Sequence, residues 1–189
     1  MSRVVDFRFE HSFDAGALQV SETTLPHLIL RWDVRPAPVE GGAPEPVREG
    51  LAGALLARGV VLFPDREPPA GADVPGTLRL DRGLGSGRVS RLVRASSPAS
   101  AERAFEAAGH DWSQGAQWLV VVRRGAAIDE ATTAFVERLL IDWAVPRDWP
   151  RGALCVVQAG VDGDMAALVC REAGELAALR DEIAGRLAA

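Results

Sequence analysis

Apolar residues in this chain arrive in short runs, and that limits what it can fold into. The longest unbroken run is the six residues Met165–Cys170, far below the roughly 20 that a membrane-crossing helix needs. Between such runs stand proline, glycine and charged residues at close intervals. A chain punctuated in this way makes short strands and helices of two to four turns. The expectation is a sheet with a few helices packed on it, no membrane span and a cytoplasmic location. The first residues fit this, because Val5, Phe7 and Phe9 alternate with Asp6, Arg8 and Glu10, the pattern of a half-buried strand rather than of a leader.

Leu28, Leu30, Trp32 and Val34 alternate with Arg31, Asp33 and Arg35, predicting a second strand. Residues 35–46 and 64–76 are rich in proline and glycine and read as loops within one globular domain spanning residues 1–189. A helix is predicted over about 47–58, closed by Gly59 in the helix-ending position, and a buried strand over 60–63. Ser97 or Ser100 is placed to cap a helix that runs through Ala108 and stops at Gly109. Trp118–Val122 suits a central strand, and 129–143 has helical spacing that Pro146 terminates. A last helix over about 174–187 carries Leu176, Leu179, Ile183 and Leu187 on one stripe. Strands occur both as hairpins and between helices. The predicted class is α+β with a mixed, mostly antiparallel sheet and about four helices, and the alternative is a doubly wound α/β fold.

The hairpin with the strongest signal is 154–159 and 165–171 around Asp162-Gly163. If those two residues are the centre of the turn, facing positions sum to 325, and Cys155 meets Cys170. Counting outward from a two-residue turn puts this pair at a hydrogen-bonded site, where side chains diverge and a disulfide is disfavoured. A bulged turn would instead set Cys155 against Val169. With no histidine near in sequence the cysteines read as core thiols, and neither a metal site nor a cofactor is expected.

All 21 basic residues are arginine, and the chain has no lysine, asparagine or tyrosine. The absent residues have AT-rich codons, which points to a GC-rich, bacterial genome. Whatever the origin, Schiff-base chemistry, a lysine general base and a phosphate-loop lysine are excluded. The formal charge of −5 argues against general nucleic-acid binding. It is unevenly spread: Arg79 to Arg94 carries a local +4 and the remainder −9.

Two segments are candidates for binding. Gly83, Gly85 and Gly87 come after a strand-like stretch, Thr77 to Leu80, and precede Arg88, Arg91 and Arg94. On a helix those arginines share a face, and a glycine loop opening a helix can wrap a phosphate or carboxylate. The third glycine of a dinucleotide fingerprint is replaced by Arg88, and the loop reads more readily as a hairpin turn. The second segment, 142–151, holds two Asp-Trp pairs with proline and arginine after each. Trp143, Arg147, Trp149 and Arg151 are residue types that dominate protein interfaces, although the tryptophans also suit anchoring of the loop. His11, His27 and His110 stand isolated. No acid–base pair or nucleophile constellation is evident. The expected function is therefore a non-catalytic interaction protein, an adaptor or assembly subunit of a bacterial complex with a protein partner. The alternative is a binding protein or enzyme for an anionic small molecule, built on the glycine loop and its arginines, and self-association is a third option.

Overall fold

A computed structural model of the chain describes residues 4–10, 25–35, 45–80, 88–110, 118–142, 145–159 and 165–188. These form eight strands and four helices in the order β1 (Val4–Glu10), β2 (His27–Arg35), α1 (Glu45–Arg58), β3 (Val60–Asp65), β4 (Gly76–Leu80), β5 (Arg88–Ala95), α2 (Pro98–His110), β6 (Trp118–Val122), α3 (Glu130–Asp142), β7 (Ala153–Ala159), β8 (Met165–Cys170) and α4 (Ala173–Leu187). The strands make one sheet in the order β1-β2-β8-β7-β6-β3-β5-β4. Every described pairing is antiparallel. The fold is α+β, and the doubly wound alternative, which requires parallel strands, falls.

Burial tracks sheet position. All five residues of β6 and all six of β8 are buried, because helices or loops cover the sheet centre on both faces and leave no polar side to alternate with. On one face α1, α2 and α4 pack over Leu30, Phe63, Val93, Leu119, Val121, Val157 and Leu168. The other face carries α3, whose Phe135, Val136 and Leu139 meet Leu62, Leu78, Leu92, Val120 and Val122. At the margin of the sheet β1 keeps its alternation: Phe7 and Phe9 lean on the first cluster while Asp6 and Arg8 are exposed. The opposite margin is closed by a side chain, since the Arg79 amide donates to Glu137 Oε1 of α3 at 2.6 Å. That bond satisfies an edge donor and blunts the edge.

Several local expectations change. Pro64 belongs to β3 rather than to the loop after it. Its missing amide falls where β3 has already run past its pairing with β6, which ends at Leu62, so no ladder bond is lost there. The helix α2 continues through Gly109 to His110. Residues 88–95 form a strand, not a helix. Gly59 does come directly after α1, and its amide donates to the Leu55 carbonyl at 3.1 Å, but its φ is not left-handed. A β-carbon on Gly59 would lie 2.1 Å from the Val122 carbonyl oxygen. Glycine is required because α1 hands over to β3 in backbone contact with β6.

The β7–β8 register matches the expected pairing, with Cys155 opposite Cys170 and Ala159 opposite Ala166; the bulged alternative falls. Asp162 and Gly163 themselves lie outside the described residues. The hydrogen-bond phase is the reverse of the one expected. The Cys170 amide donates to the Pro26 carbonyl, on the β2 side, and it is the Arg171 amide that donates to Leu154 of β7. Cys155 and Cys170 are thus a non-hydrogen-bonded pair, the type in which facing side chains come closer. Both are free and buried.

Gly59→Ala is expected to lower stability by about 3 kcal/mol, through backbone overpacking. Gly185→Ala, in α4 with open space around the new methyl, is expected to raise it by about 0.5–1 kcal/mol. Urea unfolding of the two variants beside the parent checks both signs.

Candidate functional site

The two sequence candidates fare differently. Gly83, Gly85 and Gly87 lie outside the described residues, between strands β4 and β5 that are antiparallel neighbours. The residues after them form a strand, so the helix N-terminus on which phosphate wrapping depends is missing. Strand alternation also separates the arginines. Arg91 donates to the Thr77 hydroxyl at 2.9 Å. Arg94 occupies the other face and pairs with Asp73 at 2.5 Å. Arg88 opens β5 opposite Leu80. The shared face that a helix would have made does not form.

In the second candidate, Trp143 lies outside the described residues and Trp149 is an anchor. Its half-buried ring packs on Phe135 of α3, with centroids 5.4 Å apart and planes at 53°, while Pro146 and Pro150 beside it are buried. Among the described residues the indole Nε1 has no hydrogen-bond partner, and the contact that holds the ring is its packing on Phe135. Arg147 and Arg151 remain exposed.

Arg151 belongs to a larger assembly that the sheet order creates. β6 ends, β7 begins and β8 ends at the same end of the sheet. After β6 the chain makes a turn over Arg123–Ala126, closed by the Ala126 amide on the Arg123 carbonyl at 3.0 Å, with Gly125 at φ +77°. Before β7 it makes another over Pro150–Ala153, closed by the Ala153 amide on the Pro150 carbonyl at 3.2 Å, with Gly152 at φ +92°. A positive φ at the third residue is what a type II turn demands, and glycine meets it without strain. The turns lie against each other. The Arg123 amide donates to the Gly152 carbonyl at 2.7 Å, and a β-carbon on Gly152 would stand 2.7 Å from that of Ala126. Arg171 comes next on the adjoining strand, its amide on the Leu154 carbonyl.

This end of the sheet therefore presents Arg123, Arg124, Arg151 and Arg171, all exposed. Among the described residues none of the four is ion-paired. Arg124 is steadied by a hydrogen bond to the Leu56 carbonyl in the last turn of α1, where a cation also complements the helix dipole. Two nearby acids, Asp129 and Glu175, are engaged elsewhere, while Asp148 and Glu172 are exposed beside Arg151 and Arg171. Asp129 caps α3, its Oδ1 accepting from the Thr132 amide and hydroxyl at 2.9 Å each, and these bonds hold its carboxyl below the usual aspartate range. Glu175 pairs with Arg58. The guanidinium groups are left facing solvent, where they suit carboxylates and phosphates. Arg123, Arg124 and Arg171 were not singled out from sequence. A signal was there, in the Arg-Gly-Ala tripeptide at 124–126 and again at 151–153.

The histidines add no second centre. His27 Nδ1 lies 2.9 Å from the Leu25 carbonyl, His11 lies outside the described residues, and His110 ends α2. Among the described residues no cluster of three or more histidine, cysteine or acidic side chains is placed to hold a metal. Among the described residues, too, no helix is long and apolar enough to cross a membrane.

Trp149→Ala is expected to cost about 3 kcal/mol, the lower end of the range for truncating a packed aromatic; an unchanged denaturation midpoint would show that the ring anchors nothing. Asp129→Asn tests the cap. The folded-state pKa of Asp129 is depressed, so its contribution is present above the ordinary carboxylate range and lost as pH falls through the folded value. The variant is expected to lose part of the acid-side decline in thermal midpoint, measured against pH.

No family model matches the chain, and comparison with curated proteins and with solved structures yields no match.

Proposed function

We propose that the chain is a non-catalytic interaction subunit that docks an acidic surface of a partner protein on the arginine-bearing end of its sheet. The observation that carries this reading is the contrast between two sets of arginines. Arg8, Arg31, Arg58, Arg94 and Arg103 are each ion-paired within the fold. Arg123, Arg124, Arg151 and Arg171 stand together on adjoining strand ends, and their described neighbours leave them available. The turns that carry Arg123, Arg124 and Arg151 are each closed by a backbone hydrogen bond, and the Gly152 carbonyl ties the two together. A fixed backbone under the side chains lowers the ordering cost of meeting carboxylates, which favours recognition. In a chain of net charge −5 such a basic end steers an acidic partner by its field and orients it. A long nucleic-acid backbone would meet repulsion beyond this end.

Charge reversal at Arg151 and Arg171 tests the proposal, since both are exposed and neither supports the core. The parent chain, used as bait in extract of its own cells, is expected to retain a partner that elutes as salt is raised. The Arg151→Glu, Arg171→Glu variant is expected to lose about tenfold or more in affinity, with its unfolding midpoint unchanged. Undiminished capture of the same partner would remove this end from the interface. A thermal midpoint raised by phosphorylated metabolites or dicarboxylates in the parent, and not in the variant, would move the site to small-anion binding.

A further inference from the structure

We infer that Cys155 and Cys170 form a redox-modification site, at which a peroxide converts the facing thiols into a reversible cross-strand disulfide in the folded chain. The inference rests on the β7–β8 register and on the space around the thiols, independently of the arginine site. The two residues face each other directly as a non-hydrogen-bonded pair, whose α-carbons lie about 4.5 Å apart. That spacing falls at the short end of the range a disulfide spans, about 4.4–6.8 Å. Both side chains lie on the same face of the sheet, in the cluster beneath α1 and α4. No strand shift is needed to bring sulfur to sulfur.

The surroundings leave a small space beside the thiols. A cavity of about 10 Å³ is lined by both cysteines, Leu55, Arg58, Glu175 and Leu179. This is the lower limit for holding one water, so peroxide, with two oxygens, reaches the thiols only when the side chains around the cavity move. Over it the Arg58–Glu175 ion pair joins the end of α1 to the start of α4. The same enclosure slows the reaction. The hydrogen bond with Cys170, then burial, push the Cys155 thiol well above its ordinary range, so little thiolate is present. Oxidation therefore answers sustained peroxide rather than a brief pulse.

The chemistry balances with hydrogen peroxide as the named oxidant. One thiol gives up its proton and attacks a peroxide oxygen; an S–O bond forms and the O–O bond breaks. The departing hydroxide takes the proton and leaves as water. The second thiol, losing its own proton, attacks the sulfenic sulfur; the S–S bond forms, the S–O bond breaks and a second water leaves. Two thiols lose two electrons and one peroxide gains them. A dithiol reverses the change by exchange.

Both cysteines fall in one tryptic peptide, Gly152–Arg171, so a single measurement reads the outcome. Native protein is treated with hydrogen peroxide, then unfolded, alkylated and digested. The expected peptide is lighter by two hydrogen atoms than the reduced form, unalkylated, and restored to two alkylations by dithiothreitol. Recovery of two alkylated cysteines, of a sulfinic acid at one position, or of a link between two chains would each overturn the site. Glu175→Gln removes the charge that opposes thiolate formation and loosens α4 over the cavity. It is expected to speed disulfide formation several-fold; an unchanged rate would overturn the gating assigned to the ion pair.

Discussion

The close approach of α1's end to β6 governs much of what surrounds it. Gly59 permits the Val122 carbonyl to sit where any side chain would begin, and β3 then starts in register beside β6 at Val60–Val122. Because β6 is buried on both faces, its partners on either side inherit two covered faces as well. Helices α1, α2 and α4 must then occupy one side and α3 the other. The layers, the short loops and the convergence of strand ends all stem from that central contact.

An arginine-only basic set shapes the surface in a corresponding way. Arginine supplies five donors in a fixed fork and does not lose its charge, so it suits both closing the fold and the proposed docking. Closing is seen where Arg31 and Arg8 converge on Glu10 and where Arg103 holds Asp65. Exposed pairs of this kind contribute little stability one by one. Their effect here is to use up carboxylates at particular places, while Arg123, Arg124, Arg151 and Arg171 have no ion-pair partner among the described residues.

The sequence announces elements whose environment is simple and conceals those whose environment is mixed. The alternation in β1 is legible because one of its faces is wet, and the stripe of α4 because one of its sides is. β5 is not legible: Leu92 faces the α3 layer and Val93 the opposite one, so apolar residues sit on both faces while Arg91 and Arg94 are held by Thr77 and Asp73. That mixture imitates a helical face. In the β7–β8 hairpin the pairing sum could be read from Asp162-Gly163, yet the hydrogen-bond phase could not. Phase depends on where the last bonded pair falls, and a dipeptide does not specify it. Of the candidate binding residues, Arg151 was visible in sequence and Arg123, Arg124 and Arg171 were not. They come from separate segments, and only the sheet order β6-β7-β8 makes them neighbours.

That same order sets the cysteine pair directly beneath the arginine end. Cys170 is succeeded at once by Arg171, and Cys155 stands four residues beyond Arg151 on a strand whose first turn is wedged against Ala126. Strands β7 and β8 therefore carry two of the exposed arginines on their ends and the two thiols just inside. A bond between the sulfurs at that level would fix the two ends relative to each other more tightly than ladder hydrogen bonds alone, and strain at a close pair would be relieved by small rotations of the strands. The residues best placed to register such a rotation are Arg151 and Arg171, because nothing described holds their side chains. The proposed thiol site and the proposed docking end thus lie on one element, the end of the β7–β8 pair.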